Sequence, residues 1–361
     1  MENQLDKQYN QVAQNVLNNG HIKKDRTGTG TISYFDSTIR FNMLENGEFP
    51  MLTGKFVPFK TMTHELLWFL DSVDEKYKEF GNTNIKYLVD HNCNIWNEWP
   101  YQSFNKKHDN FEKYTTEWYE DKKKFVESIK SNNTFALKYG KLGPVYGKQW
   151  TKWGGNDFHE YDKYNRYIPG TNQIDNVIDQ LKNNPDSRRI MVNAWNVGEI
   201  DQMELPPCHY GFQFWTRELD LNERIKIAGR KIEKSVHYFE DFNHEKLDEF
   251  VGRRAISLKF TMRSIDVGLG LPFNIASYGL LLHMIGHIVN MEPEDLIWSG
   301  ADVHIYSNHI EQIKEQLRRD PKPLPTLKIN KKVENITDFR IEDFELIGYD
   351  PHPHIKMDVA V

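Results

Sequence analysis

The stretch "ELPPCHYGFQFW" at residues 204–215 sets a thiol, Cys208, between a Pro206-Pro207 step and an imidazole, His209. The chain has one other cysteine, Cys93, so a thiol held by two rigid residues calls for a reason. Three arginines and two serines supply one. "NPDSRRI" carries Ser187, Arg188 and Arg189, and "FTMRSID" carries Arg263 and Ser264. Guanidinium forks and hydroxyls are a donor set suited to a phosphate dianion. The same positive charge would lower the pKa of a nearby thiol and make it a nucleophile.

Other polar residues sit where a purely structural role would be costly. Glu65 lies among the apolar side chains of "HELLWFL"; burial there would raise its pKa toward the range of a general acid/base. Asn274 of "PFNIAS" carries an amide that donates and accepts at once. His304 and Tyr306 alternate with Val303 and Ile305, so both side chains leave the same face of a strand.

The elements that must position these groups follow from periodicity. Leu5, Tyr9, Val12 and Val16 predict a helix over 4–18 with Gly20 near its end. "TISYFDSTIRFNM" alternates as strand on either side of an Asp-Ser pair, which is expected to turn the chain. Helices are predicted over 62–70, over 174–181 and from Pro272 through Val289, and strands at "IMVNAW" and "ADVHIY", the latter leading into a helix that "DPKPLP" stops. With no regular alternation of strand and helix, the fold class is α+β.

Composition narrows the function. Of 361 residues, 39% are hydrophobic and 13% aromatic, which is enough for a substantial core and argues against disorder. A net charge of -6 argues against a nucleic-acid or anionic-membrane binder and leaves room for a local basic pocket. Two distant cysteines and an N-terminus without a basic-then-apolar pattern point to a reducing cytosol, and the Lys-, Asn- and Ile-heavy usage fits a bacterium or its virus. Residues 101–139 and 217–255 are dense in charge and are expected to be surface insertions in a single domain spanning 1–361.

The blocks "DRTGTGT", "HELLWFL", "GPVYGKQW", "NPDSRRI", "LPPCH", "MRSIDVGLGLPFNIASY", "DVHIYSNH" and "GYDPHPHIKMDVAV", in this order, resemble the thymidylate synthase family over nearly the whole chain outside the two stretches. The resemblance implies a large mixed β-sheet flanked by helices and a sheet-to-sheet homodimer. It implies dUMP as substrate, 5,10-methylenetetrahydrofolate as co-substrate and no metal. Cys208 is then the nucleophile that adds to C6 of the pyrimidine. Arg26, Arg263 and Ser264 hold the phosphate, with Arg188 and Arg189 supplied by the partner subunit. Asn274 reads uracil over cytosine, because cytosine presents the reversed donor–acceptor pattern. His304 and Tyr306 take the sugar 3′-hydroxyl, and Glu65 acts through water on O4 and C5. Tyr146, His209 and Asn274 complete the polar network. Asp266 accepts from the pterin nitrogens at the junction of substrate and folate, and Lys55, Trp96, Gly270, Phe273 and Val361 form the lid.

One departure bears on the product. Where most members carry glutamine ahead of the Arg-Ser pair, this chain has Met262. The related dUMP hydroxymethylases, which quench the exocyclic methylene with water instead of hydride, can carry methionine there. Reductive methylation of dUMP is the leading expectation, 5-hydroxymethyl-dUMP the alternative, and a non-catalytic binding role the third.

Overall fold

The computed structural model describes residues 3–25, 28–156, 166, 168–239 and 241–359. Six segments, β1 (His21–Lys23), β2 (Thr31–Asn42), β3 (Met191–Asn193), β4 (His209–Glu218), β5 (Arg254–Asp266) and β6 (Met291–Tyr306), form one mixed sheet in the order β1-β2-β6-β5-β4-β3. Neighbours run antiparallel except β5 and β6. A parallel pair needs a crossover of a dozen or more residues, and the helix Gly270–Val289 provides it. That helix buries side chains around most of its circumference, because it runs between the sheet and the helix Phe59–Phe69. Pro272 falls in its first turn, and Asn290 closes it in the left-handed region at φ 53°, its N–H donating to the Gly286 carbonyl.

Alternation then sorts the two faces of the sheet. On β4, Phe212, Phe214 and Thr216 are buried under helices while Gln213 and Trp215 look outward. The outward face stays partly apolar, with Met191 54% and Trp215 58% exposed. Among the described residues, no helix is long and apolar enough to cross a membrane.

The sequence reading is corrected at two places. The Asp-Ser pair does not turn the chain: β2 is continuous, with Phe35 opposite Asp302 and Ser37 opposite Gly300 in unbroken register. Asp36 absorbs a local twist at φ 71°, a conformation aspartate tolerates, and pairing along β6 keeps the strand extended. The two charge-dense stretches also do more than cover the surface. Helices Glu98–Lys107, Thr116–Ser131 and Asn133–Tyr139 bury Tyr101, Trp118, Phe125, Ile129 and Ala136 in the main core. The 217–255 stretch begins in β4 and ends in β5; between them it builds a second, separate core of Leu219, Ile227, Ala228, Phe239, Leu247, Val251 and Ala255.

Candidate active site

The loop that presents Cys208 is held by a residue from the neighbouring strand. Two prolines in succession lack N–H groups, so their carbonyls are the polar handles the loop offers. Arg263 takes both: Nε donates to the Pro207 carbonyl at 2.8 Å and Nη2 to the Pro206 carbonyl at 3.0 Å. Its backbone N–H donates to the Cys208 carbonyl at 2.9 Å, and its guanidinium lies 5.4 Å from the centre of the Trp195 ring. From the other side, the Cys208 N–H donates to the Tyr146 hydroxyl at 2.7 Å. A bulge between His209 and Gly211 interrupts the pairing of β4 with β5, and bulges of this kind re-aim the adjacent chain. Cys208 is half-buried, and no disulfide joins it to the buried Cys93.

Behind the thiol lies a stack of aromatic and polar groups. Tyr146 stacks on His209, centroids 4.0 Å apart and planes 13° off parallel, and His209 Nδ1 meets the Tyr278 hydroxyl at 2.8 Å. Burial pushes His209 down to about 3, so at neutral pH it is an uncharged dipole and not a cationic partner for the thiol. Burial also raises the Tyr146 and Tyr278 phenols far above the ordinary tyrosine value, so both stay protonated.

One layer further in, Trp96 Nε1 donates to Glu65 Oε1 at 2.7 Å. Burial raises the Glu65 carboxyl to about 7 against the opposing pull of that hydrogen bond. Trp96 is itself buried, edge-on to Tyr146 at 5.9 Å, and forms a wall beside it.

The remaining candidates come from the far ends of β5 and β6 and the start of the crossover helix. Asn274 stands one turn before Tyr278, the residue that touches His209, so the two share a helix face. It is half-buried, does not cap the helix, and its amide makes no hydrogen bond among the described residues. Gly270 and Phe273 occupy the turn before it. Asp266, paired across from His304, accepts from the backbone N–H groups of Gly268 at 2.8 Å and Leu269 at 3.1 Å. Burial would raise its carboxyl, but His309, His304 and the Gly268 N–H outweigh burial and hold it below the ordinary range. The Lys55 ammonium is buried and donates to the Gly268 carbonyl; desolvation lowers it to about 8 against the pull of Asp266. Ser264 sits on β5 opposite Asp302, and Tyr306 ends β6 with its ring 5.2 Å from that of His304.

Arg188 and Arg189 do not join this group. Both are exposed, and the Arg188 carbonyl accepts from Gln213, five residues along β4 from Cys208, roughly 16 Å at about 3.3 Å per residue. Asp186 does not order their turn: it pairs with Arg254, while Ser187 Oγ accepts from the Arg189 N–H at 3.2 Å. Arg26 and Val361 lie outside the described residues.

The sequence reading missed Tyr278, which holds His209, Trp195 under Arg263, and Asp302, whose carboxylate lies 3.3 Å from His304 Nδ1. The spacing of Asn274 and Tyr278 was the one available signal, since residues four apart share a helix face.

A family model described as thymidylate synthase matches residues 7–361. A thymidylate synthase from Mycoplasma mobile is 43% identical over 354 residues, covering 98% of this chain and 99% of that protein.

Proposed function

The chain belongs to the thymidylate synthase family, and we propose that Cys208 is the nucleophile on which its reaction turns. The enzyme is a one-carbon transferase: it carries the one-carbon unit of methylenetetrahydrofolate to C5 of dUMP and reduces it, giving dTMP and dihydrofolate. The hydroxymethyl product is not favoured, because the full-length relative is a thymidylate synthase.

The observation that carries the nucleophile assignment is the two-sided clamp on Cys208, by Arg263 through the proline carbonyls and by Tyr146 through the thiol residue's own N–H. A sulfur so fixed adds to C6 of the uracil ring, and the electron pair this releases makes C5 a nucleophile. The folate supplies the carbon and the hydride when bound. Asn274 fits as the base reader because its amide is still unpaired. Glu65, with a carboxyl near 7, can both give and take a proton through water at O4 and C5. Tyr146 and His209 act as neutral dipoles around it. Arg263, Ser264 and Arg26 hold the phosphate, and His304 and Tyr306 the sugar. Asp266 accepts from the pterin, with Lys55, Trp96, Gly270, Phe273 and Val361 closing that side.

The enzyme works as a homodimer through the outward face of the sheet. Met191 and Trp215 are exposed there beside a cavity of about 590 Å³ that Arg263 helps to line, and surface of that kind is what a partner covers. Since Arg188 and Arg189 are exposed beside the Gln213 part of β4, away from their own Cys208, they serve the partner's phosphate site. The whole chain forms one catalytic unit working in the cytosol, with 101–139 and 217–255 as insertions.

Incubation with dUMP and methylenetetrahydrofolate should produce dihydrofolate absorbance and a nucleotide of dTMP mass. Tetrahydrofolate with a hydroxymethyl nucleotide would refute the methyl product, and near-normal turnover by Cys208→Ser the nucleophile. Mixing Arg188→Ala with Cys208→Ser subunits should restore part of the activity that each variant lacks; no recovery would place each phosphate site within one chain.

A further inference from the structure

Trp96 serves the catalytic cavity, but the residue after it lines another. Asn97 is 5% exposed, and its Oδ1 is enclosed with no hydrogen-bond partner among the described residues. A buried amide oxygen left unmatched costs stability. This one borders a cleft of about 530 Å³, within the size range of small-molecule sites. The helix Thr116–Ser131 forms one wall; the end of the helix Lys86–Asp90 and the loop after it, leading to the helix Glu98–Lys107, form the other. The sheet contributes no lining residue.

The helical wall carries a stripe. Tyr119, Lys123, Val126 and Lys130 follow one another at spacings of four, three and four, which is one face of a helix, roughly 16 Å from first to last. The Tyr119 ring is 55% exposed. Lys122, on the same wall, is committed: it pairs with Glu98 and lies over the Trp118 ring at 5.0 Å. The ammonium groups of Lys123 and Lys130 have no ion-pair partner among the described residues, and Glu127 is the one carboxylate among the lining residues. The Lys122–Glu98 pair gives the cleft a direction. Asn97 stands at the Tyr119 end, and Lys130, whose carbonyl accepts from Lys86, at the other. Cys93 also borders the space, but burial and Glu65 push its thiol up to about 12, so it is no nucleophile at neutral pH.

These groups suit one class of molecule. An amide pairs with adenine by accepting from the N6 amino group and donating to N7. A flat base stacks on a tyrosine ring, and lysines hold phosphate oxygens as point charges. Guanine presents two acceptors, O6 and N7, on the same edge and would leave Oδ1 unmatched. We propose that this cleft binds an adenine nucleotide carrying several phosphates, the base between Asn97 and Tyr119 and the phosphates running over Lys123 toward Lys130. The site is separate from the catalytic cavity and stands whether or not Cys208 is the nucleophile.

Calorimetric titration of ATP into the full chain, already saturated with dUMP so that the catalytic phosphate site is filled, tests this. One ATP per chain is expected, with GTP and inorganic triphosphate each at least about tenfold weaker. Absence of ATP binding under saturating dUMP would overturn the proposal, and so would ATP affinity no better than that of GTP or of triphosphate alone. Asn97→Leu, which removes the unmatched amide, should weaken ATP about tenfold and bring it level with GTP; a preference for ATP that survives would refute the base contact. Lys123→Ala combined with Lys130→Ala changes two exposed side chains, which keeps the test open should Asn97→Leu fold poorly. That double variant should weaken ATP about tenfold with turnover of dUMP held within about twofold; unchanged ATP affinity would place the nucleotide elsewhere and overturn the site.

Discussion

The antiparallel pair β4 and β5 has two ends that treat polar groups in opposite ways. At the end where β4 stops and β5 starts, charges find charges. Arg217 bridges Glu223 and Glu294, Arg254 reaches Asp186, Lys231 meets Glu292, and the fully buried Arg224 donates to His244, Asp248 and the Val251 carbonyl. At the Cys208 end, the polar groups are held but not neutralised. Glu65 is buried with one neutral donor, Arg263 spends donors on carbonyls instead of carboxylates, and Asn274 keeps its amide open. The first end is built to hold the chain together; the second keeps capacity for a ligand, at a cost in stability.

Glu65→Gln should show that cost most clearly. Loss of a proton-transfer group should lower kcat by roughly 10²–10⁴-fold. Stability should move the other way. The folded state raises this carboxyl from its ordinary 4.5 to about 7, so it binds the proton more tightly than the unfolded chain does. Stability is therefore lost as pH rises from 4.5 through 7, amounting to about 3 kcal/mol above that window. The amide escapes this loss and can still accept from Trp96. Denaturant melts should find the variant more stable than the parent at pH 8 and about equal near pH 4; a variant less stable at pH 8 would mean that Glu65 is no strained group.

At the opposite end the signs should reverse. Arg224→Met strips donors from two backbone carbonyls and from Asp248, and an unmatched buried carbonyl is costly. A loss of about 2–4 kcal/mol is expected, with kcat and the KM for dUMP within about twofold of the parent. The second core stands apart from the main one, so its loosening should not reach Cys208. A large fall in turnover would erase the contrast between the two ends.

This division was only half visible in the sequence. Short motifs name chemistry: the thiol, the arginine clusters, the buried glutamate and the amide of Asn274 could be picked out because residue type and immediate neighbours define them. The partners that set their state were hidden, since Arg263 and Pro207, and Trp96 and Glu65, stand 56 and 31 positions apart. Helix and strand periods located most elements. The continuity of β2 through Asp36 escaped because pairing of Phe35 and Ser37 with β6, on either side of its φ of 71°, carries the strand on, and the buried apolar stripe of Trp118, Phe125 and Ile129 was masked by the charges between its members.

The finest separation between the two ends comes from Trp96→Phe, which removes one N–H and almost no volume. That N–H is the group lowering the Glu65 carboxyl against the effect of burial. Without it the carboxyl should rise further above 7, by about one pH unit or roughly 1.4 kcal/mol, the scale of one hydrogen bond to a charged acceptor. The inflection in the pH dependence of stability, read as the difference between each protein and its Glu65→Gln counterpart, should move up by that amount. Salt bridges at the other end would not register the change, because they lie where β4 stops and β5 starts, away from Glu65. An inflection that stays in place would mean that burial alone sets the carboxyl and that Trp96 serves the site by shape; a downward shift would mean that water enters where the indole was.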